Sequence, residues 1–540
     1  MKHSKHLVYI LFILTIALSA CAKPSPTATA TAVPTATATR TATSTATAAP
    51  TLTSTNTATA TPTSTATATA TPTSTATATP TSTPTPSPTP TLIQPLPPTS
   101  TPTPIYAPPT ATPAPESRVQ VVLAMPPQSD MLGASQTFDV VRKRGLHTVS
   151  FIALDNHPDF VRLSIADGHL PGLYVDPEAD IAAQIDQWEA LLTRLSGGLF
   201  TPRLALIQEG TDSSELLARG YTVVEAAAQV NGDAAQIVQL TLGRGGAQQL
   251  AGLAYAASTY GLGLGPHLVA EQINVEPFVR PAPATTLDEF KARYLIILDP
   301  GHTRADNGTP IYPPVGRAVL ERWAVLERAY AWKALLDAEG WTTVFTHDDD
   351  SLFDEYTRTP NTVDDGQNSR RDDLQYRANL CYYLGVRSGR TPVLISLHVD
   401  SIANPDIVGP LTFYAAHGDV ELIRQGKQLA EEMHNALAQF WVDQEIDAPG
   451  RGVLHADTYA WDRMAEAGYT TIGNRFTLTA PGANILPTDL YIAVLIEAGM
   501  ATHPPEAQIL ATVEGNALLA EVHHVAFGRW VAWMLADAAK

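Results

Sequence analysis

Residues 24–115 constrain this chain more than any other stretch, because nothing in them can join a core. They consist almost wholly of Thr, Ala, Pro and Ser, with repeats such as Thr-Ala-Thr-Ala-Thr-Pro-Thr-Ser, and Arg40 is the only clear charge within them. Without large apolar side chains the segment gains too little from burial to offset the entropy of ordering. Its frequent prolines bar helix and central strand. It is read as a disordered tether, with a reach of roughly 280 Å in extended polyproline geometry and about 55 Å as a flexible coil. Its threonines are candidates for O-glycosylation. Folded structure must therefore lie beyond it, where enough chain remains to bury a real core.

Ahead of the tether, Lys2 and Lys5 precede an almost wholly apolar run, 7–18. That run is too short for a comfortable membrane span and fits the core of a secretion signal, 1–20. It ends in Leu18-Ser19-Ala20-Cys21, which resembles a bacterial lipobox. The resemblance implies cleavage before Cys21 and lipidation of that residue, at the head of a linker 21–116. The alternative is an ordinary signal peptide that happens to contain cysteine. The expected location is outside the cell, lipid-anchored to the outer face of the cell membrane or within the envelope. The chain has 2 cysteines. With Cys21 lipidated, Cys381 has no disulfide partner, and its apolar neighbours mark it as a buried, inert thiol. The net charge of −19 comes with no basic run, which argues against a nucleic-acid partner.

Two α/β regions follow. In 117–285, strands are expected at 119–125, 148–154, 204–208 and 237–242, and helices at 181–195 and 247–260. That alternation defines an α/β domain. It has no metal-spaced His/Glu set, and its glycine-rich stretch 261–265 lacks the context of a phosphate loop and is expected to be a plain loop. Asp155-Asn156-His157-Pro158 reads better as a polar loop than as a site. A proline-rich junction, 277–283, leads to a second α/β domain, 291–540, expected as an open sheet flanked by helices.

The chemistry concentrates in this last region. The apolar run 294–298 breaks into Asp299-Pro300-Gly301-His302, the run 393–397 ends in His398, and 493–496 ends in Glu497. Glu321 lies between the histidines. One histidine after a strand is usually a loop residue. Two at the C-terminal ends of parallel strands stand where open α/β sheets build sites. Two histidines and a glutamate can hold a catalytic Zn²⁺ with a fourth position open to water, and imidazole and carboxylate suit that ion. A further glutamate can serve as general base. Asp299 either orients His302 or shapes the turn.

These residues carry a resemblance. Ile297-Leu298-Asp299-Pro300-Gly301-His302, then Glu321, then Ser396-Leu397-His398, then Leu495-Ile496-Glu497-Ala498-Gly499 resemble the zinc-dependent N-acetylmuramoyl-L-alanine amidases of the amidase type 3 family. Asp306 with Gly308, a compressed Arg377-Ala378-Asn379 and Arg451-Gly452-Val453 fall in the same order. The resemblance implies zinc held by His302, Glu321 and His398, with Glu497 activating water and returning the proton to the leaving amine. The implied substrate is peptidoglycan, cut between N-acetylmuramic acid and the L-alanine of its stem peptides. Glu321 is preferred to Glu327 as the ligand because the family's glutamate opens the helix that ends at Gly340. Glu327 is expected to pair with a surface cation such as Arg328 or Lys333. Positioning or wall binding is then the modest expectation for 117–285.

Departures from the family pattern concern specificity more than chemistry. Thr303 and Arg304 replace two glycines, His347 an arginine, Asp400 an asparagine, and Met500 and His503 a phenylalanine and an asparagine. An insertion between Asp457 and Tyr491, with Trp461, Tyr469, Arg475 and Phe476, is either a lid over the substrate groove or a surface elaboration. Two other readings remain: an inactive peptidoglycan-binding lipoprotein, or a zinc peptidase acting on another amide bond.

Overall fold

The computed structural model describes residues 118–267, 281–348, 369–455 and 491–539, except 234–235, 244, 304–306, 405 and 416–418. The leader, Cys21, the tether, Arg304, Asp306 and the insertion's aromatic residues lie outside the described residues. Among the described residues, no helix is long and apolar enough to cross a membrane.

The chain is α/β throughout. The strands are β1 (Arg118–Met125), β2 (Val149–Ile152), β3 (Leu170–Tyr174), β4 (Leu204–Ile207), β5 (Thr222–Glu225), β6 (Ile237–Thr241), β7 (Gly263–Pro266), β8 (Tyr294–Pro300), β9 (Pro310–Ile311), β10 (Val319–Leu320), β11 (Thr343–Phe345), β12 (Thr391–Asp400), β13 (Leu411–Tyr414), β14 (Gly452–His455) and β15 (Ile492–Met500). The helices are α1 (Met131–Lys143), α2 (Asp159–Ala166), α3 (Ile181–Ser196), α4 (Ser214–Ala218), α5 (Gly246–Thr259), α6 (Leu287–Arg293), α7 (Glu321–Ala338), α8 (Ser369–Ser388), α9 (Val420–Asp443), α10 (Pro504–Leu510) and α11 (Val513–Ala538).

The first sheet is parallel, in the order β5-β4-β3-β2-β1-β6, with β7 also pairing with β1. The second runs β11-β8-β12-β15-β13-β14, and β13 is antiparallel to β15 while its other pairings are parallel. Strands β8, β12 and β15 read as nearly unbroken apolar runs because both faces of this sheet are covered. On one face, Ile296, Leu298, Val393, Ile395, Val494 and Ile496 pack with residues of α7, α9 and α11, including Trp332, Trp441 and Trp530. On the other, Leu295, Ile297, Leu394 and Ala493 join a cluster containing Leu380, Cys381 and Leu384 of α8.

That second cluster continues into the first sheet through Val161, Leu163 and Ile165 of α2, so α8 lies between the two halves. All eight residues of α2 are buried. The expected strands and helices of 117–285 are present, and β3, β5, β7, α1, α2 and α4 join them unannounced. The glycine-rich stretch is not all loop, since Gly263–Pro266 pairs with β1 as β7, and in β3 Pro171 and Gly172 interrupt the strand pattern. A Cβ at Gly172 would stand 2.7 Å from the ring of Phe151, so close strand packing calls for glycine there. The polar cluster at 155–158 is a structural loop. Asn156 donates to the carbonyls of Met125 and Pro126 and accepts from Ser129, tying the end of β1 to the start of α2.

Helix α7 positions the site. The β9–β10 hairpin delivers the chain into it, and Glu321 is its first residue, where the helix dipole favours a carboxylate. Buried Ala324, Val325, Ala329, Trp332 and Leu336 recur on one face, and Gly340, at φ 81°, follows the helix end.

Candidate active site

His302 follows β8 and His398 lies near the end of β12, the neighbouring strand. The Oε1 of Glu321 is 3.0 Å from His302 Nε2 and 3.3 Å from His398 Nδ1. The two rings meet edge to face, with centroids 4.9 Å apart. One ligand atom from each of the three residues lies within 4.8 Å of the others, the arrangement that lets them share one cation.

The chain invests in holding this carboxylate. Glu321 Oε1 accepts the amide of Val399 at 2.8 Å, and Oε2 accepts the amide of Thr309 at 2.9 Å. Burial opposes its ionisation, yet the charges and hydrogen bonds of His302 and His398 hold it well below the usual carboxylate range. Burial also pushes His398 down, against the pull of Glu321, which favours the neutral ring a metal requires. Glycine makes the cradle possible. At Gly308, φ is 67° and a Cβ would stand 2.6 Å from both Glu321 Oε2 and His302 Cδ2. A His-Glu-His set of this kind can hold a metal ion.

Glu497 is 2% exposed and stands in register with His398 on the adjacent parallel strand. The four residues singled out in the sequence are therefore gathered at one end of the central strands. Glu327 is exposed on α7, away from them, and partial burial and the charge of Glu514 raise its pKa.

Residues 296–526 match the family model described as N-acetylmuramoyl-L-alanine amidase. This part of the chain belongs to that family. Among solved structures, amidase AmiC2 of Nostoc punctiforme is similar at 22% identity and a TM-score of 0.30, over 44% of this chain and 97% of that one. The CwlD amidase from Clostridioides difficile, solved in complex with the GerS lipoprotein, aligns at 18% identity and a TM-score of 0.30, over 44% and 98%. No curated protein sequence matches the chain.

The amidase domain contains a residue that sequence reasoning misplaced. Arg328 is not a surface cation: it is fully buried, with Nε and Nη2 donating to Asn516 Oδ1 at 3.3 and 3.1 Å. Its Nη1 lies 3.5 Å from the carbonyl of His398. Burial pushes it down to about 10, against the attraction of Glu321 and Glu497. The signal was available, since 328 follows Glu321 by two helical turns and so shares its face. Lys333 pairs with Asp337 instead.

Asp299 does not serve His302 directly. Its carboxylate accepts from Thr346, Ser396 and Arg377 at 2.6, 2.6 and 2.8 Å. Although burial opposes it, Arg377 and these bonds hold Asp299 below its ordinary value. The compressed Arg377-Ala378-Asn379 motif thus supplies the counter-charge beneath the site. Two departures are also accounted for. Asp400 forms an ion pair with Arg451 at 2.6 Å, and His503 lies 2.8 Å from Glu506, a buried carboxylate that accepts the amides of Gly409 and Met500.

Proposed function

We propose that this protein is a zinc-dependent peptidoglycan amidase that cleaves the amide between N-acetylmuramic acid and the L-alanine of stem peptides, tethered to the membrane through a lipid on Cys21. The observation that carries the reading is the convergence of His302, Glu321 and His398, with Glu497 in register beside His398. Those three residues would hold the ion. When bound, zinc would supply Lewis acidity, lowering the pKa of water and polarising the scissile carbonyl. Glu497 would accept the proton of the attacking water and pass it to the departing amine nitrogen. Arg328 would favour the charged form of Glu497 from within the fold, and the backbone amides on Glu321 would keep its carboxylate aimed at the histidines.

Metal analysis of the purified protein, with dye release from labelled peptidoglycan before and after chelation, tests this. One zinc per chain and chelator-sensitive release are expected. Mass spectrometry should find a free lactyl carboxylate on muramic acid and a new L-alanine amino terminus. Cleavage at another bond would assign a different amidohydrolase, and wall binding without zinc or release would make the chain a binding protein.

A further inference from the structure

His302 is held in a backbone conformation it does not prefer. Its φ of 66° lies in the left-handed region, which costs a non-glycine residue energy and persists only where the surroundings impose it. Two bonds impose it here. The amide of Gly301 donates to the carbonyl of Leu397 at 2.7 Å, and His347 Nε2 donates to the carbonyl of His302 at 2.8 Å. His347 sits just past β11, a three-residue strand at the edge of the second sheet. On its own side of the sheet His347 is held through Thr346. The amide of Thr346 donates to the carbonyl of Leu298 at 3.1 Å, and its hydroxyl donates to Asp299 and lies 3.0 Å from His347 Nδ1. A second anchor just beyond His347 adds to that hold.

The next residue, Asp348, is anchored from the other half of the chain. Arg162 of α2 reaches it with Nη2 at 2.6 Å and Nη1 at 3.4 Å, while Nη1 also binds Asp159 at 2.6 Å. Arg162 is 3% exposed and rides on a helix that is wholly buried, so it offers a rigid charge. A planar guanidinium gripping both carboxylate oxygens fixes orientation as well as distance. Arg194 of α3 adds a longer contact to Asp348, at 3.5 Å. Gly197, which caps α3, comes so close to β11 that a Cβ would stand 2.6 Å from Thr342.

We propose that Arg162 is a positioning residue for the metal site, holding His302 in place from the first sheet by way of Asp348 and His347. The first α/β region is then a structural part of the catalytic centre. The role in metal binding rests on the zinc reading given above; the mechanical link from Arg162 to His302 does not.

The test compares Arg162→Met with Arg387→Met in the full-length protein. Arg387, on α8, crosses the same boundary by stacking on Phe200 at 5.2 Å, but it belongs to no part of the path to His302. Hydrogen–deuterium exchange of peptides covering 299–303 in chelated protein reads the link without metal. Titration against a competing chelator reads zinc affinity. Arg162→Met should speed exchange in that segment and weaken zinc binding about tenfold or more, as loss of a supporting shell does. Arg387→Met should do neither, and Arg162→Lys should fall between. Asp348→Asn, which keeps the volume, should reproduce the effect if Arg162→Met does not fold. Equal effects from the Arg162 and Arg387 variants, or none from Arg162 or Asp348, would overturn the proposal. Should the wild-type protein bind no zinc, the hydrolase reading fails, and the exchange comparison still decides the link.

Discussion

His523 should make this fold acid-sensitive in a way one substitution removes. Its ring is fully buried on α11, stacked on Trp332 at 5.2 Å. Burial first, and then the neighbouring charge of Arg328, depress it from 6.5 to about 3. The unfolded chain therefore takes up this proton near pH 6.5, while the folded chain stays neutral until about pH 3. Between those values the unfolded state binds more protons, so stability falls as pH falls. Each pH unit of that interval costs about 1.4 kcal/mol, so moving from pH 7 to pH 4 should remove about 3 kcal/mol through this ring. His523→Leu lacks the proton site. It loses the stacking at every pH, but its stability relative to wild type should improve by about 3 kcal/mol between pH 7 and pH 4. Urea unfolding at both pH values, with chelator present so that metal release contributes nothing, measures this directly. A wild-type-minus-variant difference constant to within about 1 kcal/mol would refute the reasoning. The ring would then be hydrated, or charged and paired.

Two further outcomes bear on the site. Glu497→Gln should lower kcat by about 10²-fold or more, the scale of a lost general base. Zinc content and melting temperature should be unchanged, and wild-type turnover in this variant would remove Glu497 from the mechanism. Gly308→Ala should weaken metal binding and cost about 1–3 kcal/mol of stability, because a left-handed backbone and a Cβ pressed on Glu321 and His302 are both unfavourable. Unchanged affinity on chelator titration would show that the cradle has slack.

The candidate site residues were legible because each ends or opens an element whose pattern is strong. His302, His398 and Glu497 close apolar runs, and Glu321 begins a helix that a glycine ends. Arg328 was not, because a charged side chain on a helix normally faces water, and only its heptad spacing from Glu321 hinted otherwise. Strand β3 was hidden by Pro171 and Gly172, whose identities answer to packing against Phe151 rather than to strand propensity. The joining of the two halves escaped notice for a related reason. Helix α8 buries residues on two faces, and periodicity does not say which neighbour covers each. His347 looked like a departure from the amidase pattern, and only its bond to the carbonyl of His302 gives that change a purpose.

The placement of α8 also limits how this enzyme can be divided. A fragment beginning at the junction would keep the candidate site residues and lose α2, laying part of the cluster around Leu380, Cys381 and Leu384 open to water. Contiguous apolar surface of that kind promotes association between molecules. The hydrolytic half is not a portable cassette. Grafting it onto another protein would mean carrying the preceding sheet along, and recombination that separated the two would leave a chain more prone to precipitate than to act.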